Sequence, residues 1–158
     1  MLNKIIFTGD CNMESISIRP ARENEIDWIN SKYKEIGFVD SNFKNEFIVI
    51  AEYNNMKSGI GRLVLVDENN IELGGIYVFP DFRKLGIAEK IVNYLCKKNP
   101  YKNSTIWCLP FEDLLSFYSK FGFKENNQKI PNKVFEKHKW CNTNGIYEKK
   151  VLLLSKNI

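Results

Sequence analysis

Three apolar runs rich in β-branched residues follow one another closely: Phe47–Tyr53, Ile60–Val66 and Ile71–Phe79. Asn54-Asn55 separates the first two, and Asp67-Glu-Asn-Asn70 the second and third. Turns this short allow only antiparallel pairing, because parallel neighbours need a crossover of about a dozen residues or more. Pro80 closes the third run, since proline cannot donate to a ladder. Beyond it a helix is expected to about Lys98, with Ile87, Ile91, Tyr94 and Leu95 on one face at the 3.6-residue period. An antiparallel meander feeding directly into an amphipathic helix therefore forms the centre of the fold.

The flanking segments extend that plan. Ser15–Arg19 alternates polar and apolar residues as a half-buried strand does, and Pro20 ends it. A helical pattern runs from Glu23 through Ile26, Ile29, Tyr33 and Ile36 to Gly37. Val39–Asn45 reads as a loop or short helix. Pro100 stops the central helix, and Thr105–Cys108 is a short buried strand. A helix from about Phe111 to Lys120 closes at Gly122. Asn126–Ile130 is loop, Pro131–Trp140 a helix and Tyr147–Ser155 a final strand. This order predicts an α+β fold, a mixed and mostly antiparallel central sheet flanked by helices, rather than a strictly alternating doubly wound one. Residues 1–14 lack periodicity and are expected to form an N-terminal arm, with Met13 an alternative start; the domain proper spans 15–158.

Composition narrows the function. The chain has 158 residues with 44% hydrophobic and 27% charged, enough for one domain with a real core. Its formal charge of +4 is mild, and the 23 Lys and Arg alternate along the chain with acids. With no basic helix, zinc spacing or aromatic-basic motif, neither nucleic acid nor a metal is expected as a partner. Cys11, Cys96, Cys108 and Cys141 show no C-x-x-C spacing, so reduced thiols and a cytoplasmic setting are the simpler reading. Ile5-Ile-Phe7 is too short for a signal core, and no apolar stretch reaches the ~18 residues of a membrane span.

The junction Asp81-Phe-Arg-Lys-Leu-Gly-Ile-Ala88 carries the most specific chemistry. A helix N-terminus presents unpaired N–H groups and about +0.5 charge, which suits a phosphate if no side chain blocks the approach. Gly86 and Ala88 leave that approach open. Arg83 and Lys84 add formal charge, and Arg can engage two phosphate oxygens at once. A diphosphate fits this arrangement better than a base edge.

Leu73-Gly-Gly-Ile-Tyr-Val-Phe-Pro-Asp-Phe-Arg-Lys-Leu-Gly-Ile-Ala88 resembles motif A of the GNAT N-acetyltransferase superfamily, whose pyrophosphate loop reads Q/R-x-x-G-x-G/A. Phe117-Tyr-Ser-Lys-Phe-Gly-Phe123 resembles its F-Y-x-x-x-G-F motif, and the element order from Ser15 to Ser155 matches over nearly the whole chain. The resemblance implies acetyl-CoA as acyl donor. Arg83, Lys84, Leu85, Gly86, Ile87 and Ala88 would wrap its pyrophosphate, mostly through backbone N–H groups. Ile76, Tyr77 and Val78 would pair with its pantetheine arm like an added strand, and Gly74-Gly75 would hold the bulge that splays this strand from the next. The backbone N–H near Tyr77 or Val78 would polarise the thioester carbonyl. One departure stands out: where many members carry Asn, seven residues before the tyrosine, this chain has Phe111.

The same resemblance implies direct acetyl transfer to a primary amine of a small molecule or peptide. Keeping a lysine-like amine neutral at pH 7 costs about 4–5 kcal/mol, so a base or a desolvating pocket helps. Glu72, eleven residues before Arg83, occupies the offset of a catalytic glutamate in the superfamily's histone-acetylating members; otherwise it merely edges a hairpin. Tyr118 matches the family's acid for the leaving thiolate. Against that, Phe111, Leu114, Leu115 and Tyr118 fall on one helical face, as core residues would. Cys108 reads as packing and His138, the single histidine, as lacking a catalytic partner. Trp28, Phe38, Phe43 and Trp140 line the acceptor pocket or fill the core; family members build that pocket from regions here near 23–46 and 126–145. The alternatives are a non-catalytic acyl-CoA-binding or regulatory module, and a basic interaction protein with a chance motif. A homodimer is compatible with either class.

Overall fold

The computed structural model describes residues 14–102, 105–125 and 128–158; residues 1–13, with Cys11 and Met13, and the Asn126 end of the loop before the last helix lie outside them. The described chain forms β1 (Ile16–Pro20), α1 (Ile26–Glu35), β2 (Glu46–Tyr53), β3 (Met56–Asp67), β4 (Asn70–Val78), α2 (Ile87–Lys97), β5 (Thr105–Cys108), α3 (Leu115–Ser119), α4 (Asn132–Thr143) and β6 (Leu154–Asn157). The six strands form one sheet in sequence order, as the meander requires. Neighbours are antiparallel except β4 and β5, which the α2 crossover makes parallel. The fold is the mixed, mostly antiparallel α+β sheet that the sequence predicts.

The β2–β3 hairpin turns on Asn54 and Asn55 alone, with φ of 47° and 66°. Such a two-residue turn matches the twist of the strands when both residues are left-handed, which Asn tolerates better than most. β3 consequently starts four residues before Ile60, the expected start.

Alternation along the strands feeds two cores. On one face Val49, Leu63, Ile71, Leu73 and Ile106 pack beneath Ile87, Ile91, Val92 and Leu95 of α2. Gly61 lets α2 sit directly on β3, since a Cβ there would overlap Ile91. Each fully buried aliphatic side chain contributes about 1.5–3 kcal/mol. On the other face Ile48, Ile50, Ile60 and Tyr77 pack against Ile29 and Tyr33 of α1, with Trp28 and Phe43 at the margin.

Two expectations need correction. The helix expected from Phe111 begins later: Phe111 is extended after Pro110, Glu112–Leu114 makes a 3-10 turn, and α3 covers only Leu115–Ser119. The final strand is also shorter than Tyr147–Ser155. The Glu112 N–H donates to the Lys150 carbonyl and the Leu152 N–H to the Pro110 carbonyl. Asn142 of α4 brackets Val151, accepting from its N–H at 2.9 Å and donating to its carbonyl at 3.0 Å. Residues 150–152 therefore spend their backbone groups on the loop after β5 and on α4, and regular pairing waits until Leu154. Among the described residues no helix is long and apolar enough to cross a membrane.

Candidate active site

At the end of β4 the chain makes a sharp change of direction. Pro80–Phe82 forms a 3-10 turn, Arg83 is extended, and Lys84 and Gly86 are left-handed at φ 64° and 79°. Only Gly adopts that region without cost, so Lys84 stores strain at this point. α2 starts at Ile87, and no side chain caps its N-terminus. Its first-turn N–H groups therefore face an open cavity of about 300 Å³ lined by Val78, Arg83, Lys84, Gly86, Ala88 and Phe117, among others. Nothing lies within 4 Å of where a Gly86 Cβ would be. Glu89 sits at the rim, but Lys120 pairs with it at 3.0 Å and offsets its charge.

From this cavity a groove runs back along β4. Ile76, Tyr77, Val78, Arg83, Ala88, Leu114, Phe117 and Tyr118 line its middle section, about 350 Å³. The groove exists because β4 and β5 part company. Their parallel pairing runs from Asn70↔Thr105 to Leu73↔Cys108 and stops, while β4 continues to Val78. Two β4 residues, Gly75 and Ile76, stand opposite Gly61 of β3, and Gly75 has φ 61°. This is a bulge beside the Gly74-Gly75 pair, and it bends β4 away. Tyr33 of α1 fixes it by donating to the Gly75 carbonyl at 2.8 Å, with the Arg62 guanidinium over its ring at 4.7 Å.

Which groups face the free edge follows from the pairing. The Phe79 N–H donates to Ser58 on β3 and Tyr77 lies opposite Ile60, so the polar backbone groups of Tyr77 turn towards β3. Val78 alternates with them, and its carbonyl accepts from Arg83 Nε at 3.4 Å on the open side. Of the three residues expected to pair with a ligand, Tyr77 thus offers the groove its position rather than its N–H.

The groove ends in a cavity of about 290 Å³ where Glu72, Cys108, Tyr118 and Lys137 meet. Phe38, Phe111, Leu114 and Tyr147 give it apolar walls. Tyr118 is buried, and burial first, then the neighbouring Cys108, pushes its phenol well above the usual value. Burial likewise raises the Cys108 thiol, so both groups stay protonated and Cys108 is no nucleophile at neutral pH. Glu72, 13% exposed, points away from the α2 core and is ion-paired with Lys137 of α4. The ring at Phe111 packs edge-on against Tyr147 at 5.4 Å.

The remaining candidates sort by position. Trp28 packs against Phe79 and beneath Lys57 on the α1 face, away from this cavity. Phe43 belongs to the same core. Trp140 touches Tyr147 from outside. His138 Nε2 lies 2.8 Å from the Val151 carbonyl and helps tie α4 to that segment. Lys137, Tyr147 and Cys141 escape sequence reasoning because no local pattern marks them. Only the 3.6-residue period of α4, with Val134 buried, places Lys137 and Cys141 near one face.

A family model described as Acetyltransferase (GNAT) domain matches residues 44–125, just over half of the chain. No curated protein matches the sequence. Solved structures similar in fold include Arabidopsis thaliana Naa50 in complex with a bisubstrate analogue, at 20% identity and TM-score 0.66, covering 91% of this chain and 99% of that one. A GNAT family acetyltransferase from Elizabethkingia anophelis with acetyl-CoA bound aligns at 19% identity and TM-score 0.63, over 90% and 98%. N-acetylglutamate synthase from Neisseria gonorrhoeae, complexed with coenzyme A and N-acetyl-glutamate, aligns at 16% and TM-score 0.63. This chain covers 35% of that protein's length, and 90% of its own residues are aligned.

Proposed function

Given a chain that belongs to the GNAT acetyltransferase family, we propose that it moves an acetyl group from acetyl-CoA to a primary amine of a small molecule or peptide, by direct transfer with both bound. The observation carrying this reading is the continuity of the groove. The cavity at the uncapped α2 N-terminus shares Val78, Arg83, Ala88 and Phe117 with the one along β4, which in turn shares Ile76, Leu114 and Tyr118 with the cavity holding Glu72.

The donor supplies an acetyl group already activated as a thioester, and the residues present fit it. A pyrophosphate sits against the N–H groups of the α2 first turn, with Arg83, Lys84 and the open face at Gly86 around it. Leu85, Ile87 and Ala88 complete the wrap through their backbone. An extended arm lies along Ile76–Val78 as an added strand would. Its amide groups find partners on the β4 edge that no neighbouring strand uses.

At the far end Glu72 accepts a proton from the incoming ammonium, directly or through water. Tyr118 lines both the groove and the end cavity, so its hydroxyl can protonate the departing sulfur. Burial raises that phenol, so the hydroxyl holds its proton at neutral pH until charge builds on the sulfur. Holding both reactants side by side makes a covalent enzyme intermediate unnecessary.

Calorimetry with acetyl-CoA, followed by a free-thiol assay over a broad amine panel, tests the reading. Saturable binding with amine-dependent thiol release is expected. Saturable binding without release over the whole panel would favour a non-catalytic acyl-CoA-binding module, and no binding at all would remove the assignment.

A further inference from the structure

We propose that the acceptor is an amino-acid-like zwitterion: a small apolar molecule carrying a carboxylate beside its amine. This rests on the acetyltransferase reading of the same site and deepens it.

Two independent observations lead there. The first is the content of the end cavity. Its walls are mostly apolar, and among the described residues its only charged side chains are Glu72 and Lys137, ion-paired with each other. Glu72 is nearly enclosed on β4, whereas the Lys137 side chain is 53% exposed and free to swing. An amine entering to reach Glu72 takes the place of the Lys137 ammonium. A simple monoamine gives Lys137 no new partner and leaves its ammonium to solvent. A zwitterion exchanges both partners at once, its ammonium meeting Glu72 and its carboxylate meeting Lys137, and no charge is stranded.

The second observation is where the chain keeps its surplus charge. Residues 129–150, which form α4 and its flanks, hold six lysines against Glu136 and Glu148; Lys137 lines the cavity, while Lys129 lines another beside Asp67 and Glu68. That segment alone equals the +4 of the whole chain, so the remainder is neutral. Two of the six are paired, Lys137 with Glu72 and Lys149 with Asp113. The α4 segment that brings Lys137 to the acceptor end therefore draws anions, although the reacting group must be a cation next to a carboxylate. An acceptor that bears both signs answers both requirements. The cavity volume of about 290 Å³ suits a single amino acid, and Phe38, Phe111, Leu114 and Tyr147 favour an apolar side chain.

The chemistry also supplies a route out. The amine nitrogen forms a bond to the acetyl carbon as the carbon–sulfur bond breaks, its electron pair leaving with sulfur. Of the two protons the ammonium sheds, one leaves through Glu72 to solvent and one ends on the thiol by way of Tyr118. The product amide carries no positive charge, so Glu72 loses its ligand partner. Lys137 then returns to Glu72 and lets go of the product carboxylate.

The experiment compares leucine, methionine and phenylalanine, each against its α-carboxamide, which keeps the amine and apolar body but lacks the anion. Free-thiol release gives kcat/KM for each pair. The wild-type protein is expected to favour the acid by about tenfold or more, as for a charge-assisted contact. Lys137→Ala should bring the ratio close to one, chiefly through KM, and Lys137→Glu should invert it in favour of the carboxamide. Circular dichroism and calorimetry with acetyl-CoA establish that each variant is folded and still binds the donor. Equal turnover of acid and carboxamide by the wild type, or an unchanged ratio in Lys137→Ala, overturns the proposal. So does turnover of plain alkylamines with none of the three acids used. Failure to bind acetyl-CoA would instead remove the parent reading.

Discussion

The two ends of the β4 groove are built in opposite ways. The α2 end is contiguous: residues 78–89 supply nearly all of its lining, and its chemistry is backbone N–H, a left-handed Gly86 and two cations. The far end is assembled from β4, β5, α3 and α4 and the loops around them, and its chemistry lies in four side chains, Glu72, Cys108, Tyr118 and Lys137. A backbone site tolerates most substitutions except those that change the path of the chain. A side-chain site fails when one atom is lost. Binding and turnover should therefore be separable by mutation.

The largest effect belongs to the assembled end. Tyr118→Phe removes the hydroxyl and keeps the ring that packs against Phe117 and Phe123. Turnover should fall about 10²–10⁴-fold, the usual worth of a positioned acid, while calorimetry shows acetyl-CoA affinity nearly unchanged. Wild-type activity in this variant would strike Tyr118 from the mechanism. Gly86→Val should do the reverse. A β-branched residue at φ 79° is strained by about 1–2 kcal/mol, although its Cβ meets no neighbour. Acetyl-CoA binding should weaken by about tenfold or more, with turnover at saturating donor much less affected. A variant that lost both in parallel would show that the ends are not independent.

The same contrast explains what could be read from the sequence. The meander, the α2 periodicity and the junction are local patterns, and each is legible because a few consecutive residues set its geometry. Gly74-Gly75 is legible as a bulge site for the same reason, since left-handed backbone beside a strand calls for glycine. Tyr33 is not, because its role depends on α1 crossing above Gly75, 42 positions away. Lys137 is likewise an ordinary surface lysine until α4 is laid over β4, 65 positions from Glu72. The short β6 fails for a related reason: Asn142, Pro110 and Glu112 compete for the backbone of 150–152, and alternation within that segment carries no sign of them.

Tyr33→Phe probes the hinge between the two ends and should act on both, more weakly. It deletes the donor to the Gly75 carbonyl and leaves the ring beneath Arg62. Leaving a half-buried acceptor unpaired costs about 1 kcal/mol, measured as a lower melting midpoint. KM for acetyl-CoA should rise several-fold because the β4 edge is no longer held in its splayed path. A midpoint that drops without any change in KM would mean that the bulge keeps its shape without Tyr33.

The smallest effect comes from pH, and it singles out the assembled end again. Cys108 is buried and its thiol is raised by that burial, so the native state keeps a proton that the unfolded chain begins to lose near pH 8.5. Above that point the unfolded state binds fewer protons than the native state, and stability falls as pH rises. The contribution is fully present below about pH 8.5 and declines by about 1.4 kcal/mol for each further pH unit, until the native thiol itself ionises. In a domain of this size, one such unit lowers the melting temperature by roughly 3–5 °C. Tyr118, raised in the same direction, joins only above about pH 10, where an unfolded phenol ionises. Melting curves from pH 7 to 10 should therefore slope downward in the wild type and less steeply in Cys108→Ala, whatever that variant loses at neutral pH through its cavity. Identical slopes would mean that the thiol reaches solvent in the native state, and the dry, proton-retaining wall beside Tyr118 would have to be abandoned.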